Sequence, residues 1–310
     1  MAKLTPILIA GPTASGKSAL ALALAERLGG TIINADAMQV YRELDVLTAR
    51  PSEDDQRRAP HLLYGHISGA EAYSAARCAI EAQAAIARAQ QDGQVPIVVG
   101  GTGLYFKALT DGLSPIPEIP EDIRSRWRRR AGEEGAPAMH AILAERDPEM
   151  AGRLRRTDPQ RLVRALEVLE ATGVSLARWQ EMPGNPVVRV EETHAIVISR
   201  ERDELRARCD ARFDDMVARG ALDEVRTLLA LGLSPDLPVM RALGVKQLAA
   251  AVEGKLSLSE ASELAKAETR QYTKRQMTWM SRNMKSWKWL LAQDMESLAA
   301  RIIDFIKSKP

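Results

Sequence analysis

Pro6-Ile7-Leu8-Ile9-Ala10-Gly11-Pro12-Thr13-Ala14-Ser15-Gly16-Lys17-Ser18 runs an apolar stretch straight into a G-x-x-x-x-G-K-[ST] loop. The glycines let the backbone curl until successive N–H groups point inward, Lys17 adds a point charge, and the Ser18 hydroxyl can ligate Mg²⁺. Residues 18–28 then carry apolar side chains at a helical period, so the positive end of a helix faces the anion. The expected order is strand, phosphate loop, helix. A chance glycine-rich turn would not bring that flanking context with it. The loop recognises phosphate and is silent about what is attached to it.

Three more apolar runs, residues 31–34, 95–100 and 194–198, read as buried strands, and long helical patterns separate the runs. Residues 71–91 form one such pattern, Ala-rich, with Ser74 as N-cap and Asp92-Gly93 as its stop. Alternating strand and helix predicts an α/β core with a mostly parallel sheet flanked by helices, like that of the P-loop nucleoside-triphosphate hydrolases. The composition shifts at Asp111-Gly112, where Leu113-Ser114-Pro115-Ile116-Pro117-Glu118-Ile119-Pro120 reads as a linker. The next stretch, to about Arg189, is Arg-rich and helical, divided at Thr157-Asp158-Pro159 and closed by Pro183-Gly184-Asn185-Pro186. The expectation is an all-helical insertion over 113–190 within a core of 1–112 and 191–310. From Arg202 onward the chain is expected to be helical, ending in basic helices.

With 310 residues, the chain is long enough for about two domains or for one with an insertion. Aromatic residues make up only 4%, so Leu, Ala, Ile and Val must fill the interior. A net charge of +2 is too mild to demand a polyanionic partner by itself. Cys78 and Cys209 lie far apart, and His61, His66, His140 and His194 form no ligand pattern, so no zinc site is expected. Neither a signal-peptide pattern nor a run of about eighteen apolar residues is present, which predicts a cytoplasmic protein without a membrane span. A monomer is expected.

Further constellations follow the strands. Asn34-Ala35-Asp36-Ala37-Met38-Gln39-Val40-Tyr41 stands where ligands bind in open α/β sheets, at a strand's carboxyl end. Asp36 there can orient Mg²⁺ or accept a proton; equally, it can cap the next helix. Gln39 can read a base edge or close a capping pair. Gly100-Gly101-Thr102-Gly103-Leu104-Tyr105 suits close backbone approach to a ligand, or a turn needing positive φ. In Thr157-Asp158-Pro159-Gln160-Arg161-Leu162-Val163-Arg164-Ala165-Leu166-Glu167, Asp158 caps a helix on which Arg161 and Arg164 share a face, either for an anionic partner or for solvent. Arg241-Ala242-Leu243-Gly244-Val245-Lys246-Gln247 follows Pro238. Between Lys266 and Lys288, seven basic residues stand against Glu268, interleaved with Tyr272, Trp279, Trp287 and Trp289. That mixture suits a nucleic-acid backbone with unpaired bases, or an amphipathic helix with a solvated basic face.

Taken together, these segments resemble the bacterial tRNA dimethylallyltransferases, also called tRNA isopentenylpyrophosphate transferases. The matching strings are G-P-T-A-S-G-K-S, N-A-D-A-M-Q-V-Y-R-E-L-D with T-A-R-P at Thr48 to Pro51, V-G-G-T-G-L-Y, D-P-Q-R-L-V-R-A-L-E-V, R-A-L-G-V-K-Q and T-R-Q-Y-T-K-R-Q-M-T-W. They occur in family order from Gly11 to Trp279. The resemblance implies transfer of a dimethylallyl group from dimethylallyl diphosphate to the exocyclic amine of the adenosine 3′ to the anticodon, in tRNAs reading codons that begin with U. It implies Mg²⁺ on Ser18, and a diphosphate leaving group, rather than a nucleotide, cradled by Gly11, Pro12, Thr13, Ala14, Ser15, Gly16, Lys17 and Ser18. Asp36, Thr13, Lys17 and Arg212 are the implied catalytic residues. Residues implied to face tRNA are Asp36, Ala37, Met38, Gln39, Thr102, Arg124, Gln160, Arg161, Leu162, Val163, Arg164, Arg241, Ala242, Leu243, Gly244, Val245 and Lys246, and the basic run from Arg124 to Arg130 is read as a clasp on the anticodon stem.

Two positions depart from the family pattern: Val245 replaces a usual aromatic, and Leu47 a frequent glycine before Thr-Ala-Arg-Pro. The zinc finger of eukaryotic relatives is absent after Trp289, as expected of a bacterial form. The rival readings are a P-loop kinase for a nucleoside or small hydroxyl substrate, a nucleotide-gated RNA-binding module, and an isopentenyltransferase acting on free adenylate.

Overall fold

In the computed structural model, which describes residues 4–292 and 295–308, four apolar runs pair side by side as strands. These are β1 (Ile7–Ala10), β2 (Gly30–Asn34), β4 (Val95–Gly100) and β5 (His194–Ser199), and two short strands at the edges, β3 (His61–Leu62) and β6 (Lys288–Leu291), complete the sheet. The order is β3-β2-β4-β1-β5-β6 and every pairing is parallel.

The helices, in chain order, are α1 (Lys17–Leu28), α2 (Glu53–Arg58), α3 (Ala75–Gln91), α4 (Gly103–Thr110), α5 (Glu121–Arg146), α6 (Pro148–Arg153), α7 (Pro159–Thr172), α8 (Leu176–Glu181), α9 (Arg202–Ala218), α10 (Ala221–Ala230), α11 (Val245–Val252), α12 (Leu258–Asn283) and α13 (Met295–Ser308). Strand side chains alternate between two cores, as the pleat requires. Ile7, Ile9, Ile32, Ile97, Val99, Ile196 and Ile198 pack against α1 and α13, through Leu20, Leu24, Leu298 and Ile302. Leu8, Ala10, Ile33, Val98 and Val197 pack on the other face with residues of α3, α4 and α9 to α12. Helices on both faces of a parallel sheet make this the α/β class that alternating strands and helices predict.

The chain divides into two compact units, residues 1–110 with 187–310, and residues 111–186. The second unit is helical, built from α5 to α8 around Trp127, Met139, Leu143, Leu162, Leu166 and Ala177. Asp158 caps α7 by accepting from Arg161 N–H, and Pro159 stands in its first turn, as the sequence suggests. Within α5 the helix breaks at Gly135 (φ 79°, ψ 171°), two residues before Pro137, whose ring blocks a continuous helix. In the sheet unit the chain rejoins at Val187 and Val188, whose N–H groups both donate to Leu109 O.

The expectation of helix from Arg202 to the C-terminus is corrected at β6. Here α12 stops at Asn283, and Lys288-Trp289-Leu290-Leu291 pairs with Ile196 to Ser199. The basic and aromatic run is therefore not one helix. Trp287 is buried edge-on against Phe106, ring centroids 5.3 Å apart, and Trp289 Nε1 donates to Met284 O. These two indoles are structural, and Tyr272 and Trp279 remain on α12.

Candidate active site

Strands β2, β4, β1 and β5 are neighbours, so their carboxyl ends bring four loops together: residues 11–16, 35–50, 101–102 and 200–201. Gly11 N–H donates to Gly100 O, Ala35 N–H to Val99 O and Thr102 N–H to Ala35 O, tying three of them. The phosphate loop turns through Ala14 (φ 64°) and Gly16 (φ 94°). Gly16 is the N-cap of α1, and its positive φ aims the helix start at the loop's interior. At Gly11 a Cβ would come within 2.7 Å of Ser15 Oγ and 3.0 Å of Ile198 O, so only glycine fits.

Side chains distant in sequence hold the loop's outer backbone. Arg200 Nε donates to Ser15 O at 2.9 Å, Arg208 Nε to Ala14 O at 3.0 Å, and Gln276 Oε1 accepts from Thr13 N–H at 2.9 Å. None of the three was expected from the sequence, although Arg200 follows directly on a strand end, a position that could have marked it.

Lys17 is buried, with Nζ 3.4 Å from Pro12 O. Burial pulls its pKa down to about 8, with Arg212 lowering it further and Asp36 pulling it back up. Burial also lowers the pKa of Arg212, again opposed by Asp36. One Arg212 NH2 group donates to Thr48 O at 3.2 Å, whereas its Nε and the Ser15 Oγ are buried with no hydrogen-bond partner. Two desolvated cations facing one carboxylate, with a donor unpaired, make a site complementary to an anion.

That site opens into a cavity of about 310 Å³ with two kinds of wall. Thr13, Lys17, Ser18, Asp36, Thr102 and Arg212 line it with polar groups, and Leu47, Phe213, Met216, Leu243 and Tyr272 line it with apolar and aromatic surface. A second hollow, of about 390 Å³, adjoins at Lys17, Ser18 and Arg212 and adds Arg208. Asp36 does not cap a helix. Its Oδ1 accepts from Met38 N–H at 3.1 Å, its own N–H donates to Asn34 Oδ1 at 2.8 Å, and Oδ2 faces the Gly101 side of the cavity. Thr102 Oγ1 accepts from Ala37 N–H at 2.9 Å, joining the two acceptor-side loops.

Several sequence expectations change here. Gln39 lines the cavity and spends both amide hydrogens on Thr48 O and Ala49 O, so it braces the loop and presents only its carbonyl side to a base. Gly100, Gly101 and Gly103 all have ordinary φ, and the groups that crowd them are the protein's own: the Ala35 backbone, Gln276 and the Trp279 indole. Gly244 and Val245 are buried, Arg241, Ala242 and Leu243 line the cavity, and Arg241 and Lys246 are exposed. In the helical unit, Leu162 and Val163 belong to the core and cannot offer side chains to RNA, because the helical period turns them inward between Arg161 and Arg164. Gln160 and Arg161 are exposed, and Arg164 lies 3.6 Å from the buried Glu167.

The cavity wall at Leu47 and Thr48 is fixed from behind. The Glu224 carboxylate on α10 accepts from Asp45, Val46 and Leu47 N–H at 2.5, 2.8 and 2.9 Å. Glu224→Ala is expected to strand these donors, costing about 1–3 kcal/mol of stability. Denaturant unfolding measures the loss, and an unchanged midpoint would show that the loop holds itself.

Relatives share this architecture. A family model described as IPP transferase matches residues 39–283, and one described as isopentenyl transferase matches residues 5–64. The tRNA dimethylallyltransferase of Rhizobium meliloti is 52% identical over 292 residues, 94% of this chain and 96% of its own. The crystal structure of a tRNA isopentenylpyrophosphate transferase from Bacillus halodurans superposes with TM-score 0.70 at 32% identity, covering 99% of this chain and 97% of that one. A eukaryotic dimethylallyltransferase acting on tRNA superposes with TM-score 0.82 at 28% identity, covering 99% and 80%. The family model spans most of the chain, the identity extends over nearly its full length and the fold superposes, so the chain belongs to the IPP transferase family.

Proposed function

We propose that the chain transfers the dimethylallyl group of dimethylallyl diphosphate to the N6 amine of the adenosine 3′ to the anticodon, in tRNAs reading codons that begin with U. The C1–O bond to diphosphate breaks, the N6–C1 bond forms, and the amine proton leaves. The observation that carries this reading is the single cavity in which a free oxygen of Asp36 confronts Lys17 and Arg212. A site with cations alone would hold phosphate; the carboxylate across from them supplies the acceptor that an amine nucleophile needs.

The loop of residues 11–18, Lys17 and Arg212 hold the diphosphate and stabilise the charge that grows on it as it departs. Thr13 and the Ser18 hydroxyl border the same space. Asp36 Oδ2 accepts the amine hydrogen, and Thr102 fixes the Asp36-Ala37 segment beside it. Leu47, Phe213, Met216 and Leu243 give the prenyl chain an apolar wall that also excludes water from the reacting carbon. The donor set suits Mg²⁺ held chiefly by diphosphate oxygens and water: Ser18 and Asp36 share the cavity, and the described residues contain no group of three or more His, Cys, Asp or Glu that could cage a metal. When bound, Mg²⁺ would neutralise charge on the leaving group.

The adenine must leave its stack to reach this cavity, which costs a few kcal/mol. Binding elsewhere on tRNA offsets that cost. Tyr272 and Arg275, stacked 5.6 Å apart on α12, border the cavity and suit an extruded base. The arginines of α5 are the proposed clasp on the anticodon stem. Each of Arg124, Arg126, Arg128 and Arg130 is paired with a glutamate, so phosphate contact means exchanging partners. Neutralising them is expected to flatten the salt dependence of tRNA binding by up to about 0.9 in log–log slope per lost phosphate contact, leaving diphosphate affinity intact. An unchanged slope would remove α5 from the interface.

The deciding experiment mixes protein, Mg²⁺, dimethylallyl diphosphate and unmodified tRNA, and weighs the nucleosides by mass spectrometry. Prenylated adenosine formed with tRNA and not with free adenylate supports the reading. ATP turnover without prenylation would replace it with a kinase.

A further inference from the structure

Gln276 on α12 is buried, 6% exposed, and ties two active-site loops together with one amide. Its Oε1 accepts from Thr13 N–H at 2.9 Å, and its Nε2 donates to Gly101 O at 2.9 Å. A primary amide supplies the acceptor and the donor together, whereas an ionised Glu of the same length lacks the donor and Lys lacks the acceptor. Thr13 O is held from the same side by the Cys209 thiol, whose sulfur is in turn 3.5 Å from Thr273 Oγ1, one helical turn before Gln276. The Gly101 backbone bears the matching imprint: a Cβ there would lie 2.5 Å from Gln276 Nε2 and 3.5 Å from Asp36 Oδ2. Glycine at 101 therefore makes room for the Gln276 amide beside Asp36.

We propose that Gln276 is a positioning residue for prenyl transfer, setting the separation between the diphosphate loop at Thr13 and the acceptor side at Gly101, Thr102 and Asp36. This rests on the reading of those two loops as donor and acceptor sites. Displacement at the prenyl carbon requires the leaving oxygen, the carbon and the amine to come into line. An error of about 1 Å in such an arrangement costs about 100-fold in rate. The two loops touch directly at their strand ends, where Gly11 N–H donates to Gly100 O, and farther into the cavity, between Thr13 and Gly101, the Gln276 amide is the bridge that sets their spacing.

The test compares Gln276→Met and Gly101→Ala with Thr278→Ala, an exposed position on the same helix whose hydroxyl bonds only within α12. Four quantities are read: Tm, tRNA affinity, affinity for inorganic diphosphate, and kcat well below Tm. Gln276→Met is expected to bind tRNA as the parent does, to bind diphosphate several-fold more weakly, and to lose about 10- to 100-fold in kcat. Gly101→Ala should show the same kcat loss, and Thr278→Ala none. If Gln276→Met does not fold, Gln276→Glu serves instead, keeping the acceptor for Thr13 and losing the donor to Gly101; a kcat loss exceeding any change in tRNA affinity supports the proposal. Parental kcat and diphosphate affinity in a folded Gln276 variant overturn it, as does a kcat loss that scales only with lowered Tm. Absence of prenyl transfer by the parent protein would refute the functional reading instead, and weakened diphosphate binding by Gln276→Met would still register the strut.

Discussion

Lys17→Met is expected to lower turnover about 10²–10³-fold while raising thermal stability. The two effects have one cause. Burial depresses the Lys17 pKa from 10.5 to about 8, so the fold carries a charged amine that its surroundings disfavour by about 3 kcal/mol at neutral pH. Methionine fills the same space without the charge, and removing the penalty should raise Tm by roughly 5 °C or more. The unfolded chain binds more protons than the folded one between pH 8 and 10.5, so parental stability should rise with pH across that window, and the rise should be missing from the variant. Diphosphate needs the protonated amine, so parental diphosphate affinity should fall above pH 8, by up to about tenfold per unit. Calorimetric titration with diphosphate from pH 7 to 9.5, beside thermal melts, measures all three. A variant that loses both stability and turnover would make Lys17 a structural residue.

The same contrast explains what the sequence reveals. Residues 6–18 are legible because the motif is local: each group that touches phosphate lies within one turn of the next. Asp36 and Thr102 are legible as strand-end residues, and Ser74 and Asp158 as caps, for the same reason. Arg200, Arg208 and Gln276 are not, because they meet the loop from 185, 194 and 263 residues away, and only Arg200, directly after a strand end, stands at a position that could have marked it. Glu224 is hidden in the same way, an ordinary helical glutamate until three distant N–H groups converge on it. Strand β6 escapes detection because four residues, two of them Lys and Trp with exposed or half-exposed side chains, give no alternation at a sheet edge. Family strings mislead in a complementary way. A matched segment such as Gln160 to Arg164 contains residues kept for opposite reasons, and the helix turns Leu162 and Val163 to the core while leaving Gln160 and Arg161 outside.

Asp36→Asn separates two roles that geometry alone allows for this side chain. Asparagine keeps an oxygen for Met38 N–H, so the loop from Asn34 to Gln39 should hold its shape and tRNA affinity should stay within about twofold. If Oδ2 removes the amine proton, turnover should fall about 10²–10⁴-fold, the usual worth of a general base. If Oδ2 only orients the amine, the amide NH2 that takes its place removes one orienting acceptor and no proton transfer, and the loss should stay near or below about tenfold. A second readout comes from Lys17. Asp36 raises the Lys17 pKa, so its replacement should lower that pKa further and move the alkaline loss of diphosphate affinity to lower pH. Single-turnover prenylation with saturating donor isolates the chemical step from this weakened binding. A large single-turnover loss together with the shifted diphosphate profile assigns Asp36 both functions, accepting the proton from the nucleophile and holding the charge on the lysine that receives the leaving group.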